Sequence, residues 1–216
     1  MGPSLQPPGP PAPSGRADAL AAAALAEWIL AGGAAIFPTD TLPALAALPA
    51  AAGQIWALKA RPSSKPLILM GAEAGPLFAA LELPPHPRWL ELAERCWPGA
   101  LTLVLPARGS VVAALQPGVV AAEARLGLRI PACERARELL RRTGPLATTS
   151  ANRSGDLPCL TAAAAEATFP QVPRLAPLPW PQPSGEGSTV LAWSQAGTWQ
   201  VLRSGAVMPD LDLLRP

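Results

Sequence analysis

The 216-residue chain has no tyrosine and one histidine, His86. With one imidazole, neither a histidine-rich metal site nor a Ser-His-Asp triad can be assembled easily. Cysteine is also scarce: Cys96, Cys133 and Cys159 are far apart, without metal-ligand spacing. An odd, unpatterned set of thiols fits a reducing cytosol, so a cytoplasmic location is expected. Charged residues make up only 15%, and the net charge is +2. That is too small for nucleic-acid binding by bulk electrostatics. Long apolar runs are missing too. The stretch from Ala19 to Ile36 is broken by Glu27 and Gly32-Gly33, so it fails the length rule for a membrane span. The N-terminus lacks the charged start and cleavage pattern of a signal peptide.

What is abundant is hydrophobic mass, at 50%, and proline, with 29 residues. A sizeable core is therefore affordable in one domain. Residues 1–16 are rich in Pro, Gly and Ser and are expected to be disordered. A folded domain is expected over 17–207, followed by a tail at 208–216. Ala17 to Ala31 reads as a helix closed by Gly32-Gly33, and Ala34 to Phe37 as a buried strand stopped by Pro38. Further helices are expected at Ala51–Ala60, Pro87–Cys96, Glu134–Arg142 and, capped by Thr161, Ala162–Thr168. Strands are expected at Pro66–Met70, Leu101–Leu105, Gly127–Ile130, Leu146–Thr149, Ser188–Trp193 and Trp199–Leu202. Pro170 to Pro183 reads as a linker. This interleaving gives an α/β or α+β domain.

Four stretches carry polar chemistry. Ile36 to Thr41 runs from a strand into a turn bearing Thr39, Asp40 and Thr41. Lys59 to Pro66 gathers Lys59, Arg61 and Lys65 with two serines. Arg makes planar, bidentate contacts to phosphate oxygens and Lys supplies a point charge. Thr148 to Gly155 is dense in small donors and acceptors that could hold a ribose, a phosphate or a carboxylate. Ser188 and Arg203 flank the last strand pair. Each stretch alone also reads as an ordinary turn, helix end or polar loop. No Gly-x-x-x-x-Gly-Lys or Gly-x-Gly-x-x-Gly motif is present, and no carboxylate pair suits acid/base work.

Taken in order, the stretches Phe-Pro-Thr-Asp-Thr, Lys-x-Arg-Pro-x-x-x-Pro-Leu, Cys-Trp-Pro-Gly-x-Leu-Thr, Leu-Arg-Ile-Pro, Thr-Ser-Ala-Asn-x-Ser-Gly and Ser-Thr-Val…Leu-Arg-x-Gly-Ala resemble the YrdC-like threonylcarbamoyl-AMP synthases, in their short single-domain form. The resemblance implies a twisted mixed sheet with surrounding helices and a basic central cavity. It implies a nucleotidyltransferase that makes threonylcarbamoyl-AMP and pyrophosphate from L-threonine, bicarbonate and ATP, with Mg²⁺ accompanying the ATP. A downstream tRNA threonylcarbamoyltransferase would consume the product in the t6A modification of tRNA. By motif, Thr41, Arg129, Ser150 and Ser188 match threonine contacts. Lys59, Arg61, Lys65, Asn152, Thr161 and Arg203 match nucleotide contacts.

The sequence departs from that family's pattern at Thr41 to Ala46, where an aromatic and two glycines are missing and Pro43 is present. Met70 stands where many members have His, and Arg125 where a Thr is common. These departures motivate an alternative: a homologue that binds nucleotide or RNA without synthase activity.

Overall fold

Most of the apolar stretches are short, and several of them have side chains buried on both sides. Ile36, for example, packs into one core while Ala35 and Phe37 pack into another. Strands of that kind need helices on both faces. The computed structural model, which describes residues 16–210, has that arrangement. The disorder expected for residues 1–16 therefore falls almost entirely outside the described residues, as does the tail from residue 211 onward.

Ten strands form one mixed sheet: β1 (Ala19–Leu20), β2 (Ala35–Phe37), β3 (Ala44–Ala47), β4 (Ile68–Met70), β5 (Leu101–Pro106), β6 (Arg125–Arg129), β7 (Leu146–Ser150), β8 (Arg174–Leu175), β9 (Thr189–Trp193) and β10 (Trp199–Arg203). Their spatial order is β1-β8-β2-β3-β7-β4-β6-β5-β9-β10. The sheet contains both parallel pairs (β4 with β6, β5 with β9) and antiparallel ones (β3 with β7, β5 with β6).

Among the described residues seven α-helices clothe the sheet: α1 (Ala22–Leu30), α2 (Gly53–Lys59), α3 (Ala74–Ala79), α4 (Pro87–Cys96), α5 (Ser110–Leu115), α6 (Glu134–Thr143) and α7 (Ala162–Thr168). Their boundaries follow local chemistry. Gly32, at φ +96°, donates to Ile29 O at 2.8 Å and turns the chain out of α1. His86 caps α4, its Nδ1 accepting from Arg88 N at 3.2 Å, with Pro87 in the first turn. Thr161 caps α7 as expected, accepting from Ala164 N at 3.1 Å.

Three expectations are corrected. The helix read over Ala17 to Ala31 begins only at Ala22, because Ala19 and Leu20 pair with β8. Pro170 to Pro183 is not merely a linker: Arg174 and Leu175 are buried and lie between β1 and β2. The turn after Thr41 ends sooner than read, since Ala44 to Ala47 is a fully buried strand. Helices α3 and α5 were not anticipated.

The two faces are covered unequally. One core joins Ile55 of α2, Leu77 of α3, Leu92 of α4 and Leu115 of α5 to Leu45, Leu69, Leu103 and Leu128 of the sheet. The other joins Leu25 and Ile29 of α1 and Leu139 and Leu140 of α6 to Phe37, Ala46 and Met70. The second core contains no residue of β5, β6 or β9. That part of the face, across β6, β5 and β9 and bordered by β4 and β7, is left for a cavity. Six of the seven tryptophans are buried, which places them in packing rather than on a stacking platform.

Candidate functional site

Alternation along the strands decides what the open face presents. In β5, Leu103 and Leu105 point into the first core, so Thr102 and Val104 face the other way. In β7, Ala147 packs into the first core, so Thr148 and Ser150 face the open side. Ile68 and Met70 do the same from β4. These side chains floor a cavity of about 440 Å³. Gly127 lies in the middle of this face, and a Cβ there would stand 2.8 Å from Ile68 Cγ2. Glycine is required because the floor has no room for another side chain.

The walls are cationic. Arg61, Arg129 and Arg203 line the cavity, and no carboxylate does. Arg129, at the end of β6, is only 4% exposed and is fixed at three points. Its Nε donates to Gly99 O at 3.1 Å, one terminal nitrogen to Thr41 Oγ1 at 2.6 Å and the other to Asp40 Oδ1 at 2.9 Å. Burial pushes the guanidinium pKa down and the Asp40 charge opposes that shift, so the group remains a cation. Asp40 is fixed in turn by Ala132 N at 2.9 Å. Thr39 holds the turn shut: its hydroxyl donates to Leu42 O at 2.7 Å and accepts from the backbone of Thr41 and Leu42.

On the opposite wall, Ser188 Oγ and Thr102 Oγ1 share a hydrogen bond of 2.7 Å. Arg203 straps this corner, donating to Ser188 O at 2.8 Å from a terminal nitrogen and 3.2 Å from Nε. Arg61 leans on its own turn, donating to Pro66 O at 3.2 Å. Those contacts leave guanidinium donors free to meet an anion.

Six of the ten residues singled out in the sequence therefore meet at one cavity: Thr41, Arg61, Arg129, Ser150, Ser188 and Arg203. Four do not line it. Lys59 is 1% exposed and lies beneath the Ser150–Asn152 turn. Its Nζ donates to Ser150 O at 2.5 Å, to Asn152 O, and to Asn152 Oδ1 at 3.1 Å. All three protons are thus used within the protein. Burial, and secondly the Arg61 charge, lower the Lys59 pKa to about 8. Asn152 is bound into the same knot: its Oδ1 accepts from Ser150 Oγ at 2.6 Å and its Nδ2 donates to Asp156 O at 2.8 Å. Lys65 is exposed in the turn following α2. Thr161 is occupied as the α7 cap and borders a separate depression beside Trp180. Arg125 turns away to donate to Trp193 O, whereas Met70 lines the cavity.

Thr102 and Thr148 were not singled out as site residues. Only their spacing, one residue from a buried Leu or Ala on either strand, could have shown that they share a face with Ser150.

A ten-stranded mixed sheet with helices around it and an arginine-lined cavity on its half-covered face defines an α/β fold. A family model described as "Telomere recombination" (Sua5/YciO/YrdC) matches residues 27–205. The chain belongs to this family. It is 32% identical over 141 residues to a threonylcarbamoyl-AMP synthase of Neisseria gonorrhoeae, covering 63% of this chain and 72% of that one. It is 39% identical over 123 residues to a threonylcarbamoyl-AMP synthase of Bacillus subtilis, covering 55% of this chain and 34% of that protein. The match thus spans about a third of the Bacillus relative's length. The solved structure of P. abyssi Sua5 complexed with L-threonine superposes with a TM-score of 0.76 at 28% identity, covering 85% of this chain and 54% of that one.

Proposed function

We propose that the protein is an L-threonylcarbamoyladenylate synthase, converting L-threonine, bicarbonate and ATP to threonylcarbamoyl-AMP and pyrophosphate. The observation that carries this reading is the convergence of Arg61, Arg129 and Arg203 with the Thr41, Ser150 and Ser188 hydroxyls on one cavity without a lining carboxylate.

In this reading Arg129, already aimed by Asp40, Thr41 and Gly99, takes the amino-acid carboxylate. The free amine attacks CO₂ derived from bicarbonate, forming a C–N bond and losing a proton to give an N-carboxylate. One carboxylate oxygen then attacks the α-phosphorus of ATP. The bond to the bridging oxygen breaks and pyrophosphate leaves. Neither step needs a protein nucleophile; both need charge neutralisation and alignment, which fixed arginines provide. Arg61 and Arg203 face the polyphosphate. Lys59 and Asn152 hold the Ser150 turn beneath the site. Among the described residues no group of three or more acidic, His or Cys side chains could hold a metal. Mg²⁺ would accompany the ATP, bound to its phosphates.

The product would pass to a tRNA threonylcarbamoyltransferase acting in t6A synthesis. No helix among the described residues is long and apolar enough to cross a membrane. The test is pyrophosphate release from ATP and bicarbonate with and without L-threonine. Threonine-dependent release supports the reading. Nucleotide binding without it favours the non-catalytic alternative.

A further inference from the structure

Among the polar side chains that line the cavity, Thr148 is the one whose hydroxyl is both buried and without a partner. Thr148 is 1% exposed, and its Oγ1 is buried without a hydrogen bond. It lines the cavity on the same face of β7 as Ser150, two residues away. Its registered neighbours on the flanking strands are Ile68 and Ala46, which offer no hydrogen-bonding side chain. A buried, unsatisfied hydroxyl carries a desolvation cost. In a binding cavity, a ligand group can remove that cost.

The surroundings limit what that group can be. The residues beside Thr148 on the floor are Ile68 and Ala44, whereas Arg129 stands further along, in register with Met70. A charged phosphate or carboxylate would be poorly solvated against such a surface. A short branched group with one hydroxyl and one methyl fits it: the hydroxyl meets Thr148 Oγ1 and the methyl meets Ile68 or Met70.

We infer that Thr148 is a specificity-determining residue that reads the side-chain hydroxyl of a β-hydroxy amino acid bound in the cavity. This rests on the synthase reading above and adds to it the group that selects the substrate's side chain. Thr148 Oγ1 either donates to that hydroxyl or accepts from it, so an amino acid with the same skeleton but no hydroxyl leaves both Thr148 and the site unsatisfied.

The experiment compares L-threonine with L-2-aminobutyrate, which lacks only the hydroxyl. Binding is followed by calorimetry with ATP present, and pyrophosphate release is measured alongside. The proteins are wild type, Thr148→Val and Thr148→Ser. Wild type should prefer threonine, and Thr148→Val should shrink that preference roughly tenfold, the loss of about one neutral hydrogen bond. It should act on threonine and leave the KM for ATP unchanged. Thr148→Ser, which restores the hydroxyl, should keep the preference. If folded Thr148→Val retains the wild-type ratio, or if its defect appears in the ATP KM, the inference is overturned while the synthase reading stands. If wild type neither binds threonine nor releases pyrophosphate with it, both fall together.

Discussion

Arg129 and Asp40 form a buried ion pair of 2.9 Å across 89 residues of sequence, and the same guanidinium holds Thr41 Oγ1 at 2.6 Å. The pair joins the end of β6 to the turn between β2 and β3, so the cavity's best-oriented cation and its best-ordered turn are one unit. Asp40→Asn removes the counter-charge from a guanidinium that is almost fully buried. It should cost about 3 kcal/mol, lowering Tm by roughly 10 °C for a chain of this size. Scanning calorimetry measures this, and Asp40→Glu should recover part of the loss.

Arg129→Ala removes the group assigned to the amino-acid carboxylate. Loss of a buried charge partner should cut kcat/KM for threonine about 100-fold or more. The companion change Thr41→Val keeps the charge and removes one acceptor, so its effect should be nearer tenfold. Steady-state pyrophosphate release with threonine varied and ATP saturating separates the two.

In the proposed mechanism Arg61 and Arg203 face the polyphosphate. Alanine at either position should raise the ATP KM about tenfold and leave the KM for threonine nearly unchanged. An equal rise in both constants would assign these arginines to general cavity architecture instead.

Lys59 makes stability depend on pH on the alkaline side. Its folded pKa of about 8 lies below the ordinary 10.5. Between those values the unfolded chain binds more protons than the folded one, so stability should rise as pH increases from 8 to 10.5. Denaturant titrations across that window should show the rise in wild type and its loss in Lys59→Met. The reverse slope would contradict the burial of the ammonium.

Glu166 gives a slope on the acid side. Hydrogen bonds from Arg16, then Arg174, lower its pKa from 4.5 to about 2, and the Arg174 contact is 2.6 Å. A carboxylate depressed on folding contributes stability that is present above pH 4.5 and lost as pH falls towards 2. Acid titration of Glu166→Gln should show a shallower loss in that range than wild type.

How far these elements could be read from the sequence depended on whether local chemistry alone specified them. Helix α4 carries its own cap and proline, α6 its amphipathic pattern and α7 its threonine, and each was readable. Strand β3 was not, because Ala44 to Ala47 is buried on both faces and so shows no alternation. Strand β8 is only Arg174 and Leu175, with Pro173 before it and Pro177 shortly after. Its strand identity comes from Ala19, Leu20 and Ile36, far away in the chain. At the site, ordered motifs pointed to Thr41 and Arg129, but motifs do not say which way a side chain turns. Lys59 reads as a nucleotide contact in the sequence, and the motif does not show that it also holds the turn at Ser150. Thr148 reads as one more hydroxyl in a polar run, and only the sheet register places it on the cavity floor.

The late strand β8 has a consequence for how the chain matures on a ribosome. Residue 36 cannot gain its neighbour on one side, nor residue 19 its strand partner in β8, until residue 174 has emerged. Loop closures over such separations are slow. The amino-terminal helix must therefore wait, with Leu25 and Ile29 lacking their full cover, while most of the polypeptide is synthesised. A nascent chain stalled before Arg174 would present an open sheet edge at β2, a natural target for chaperones that recognise unfinished β structure.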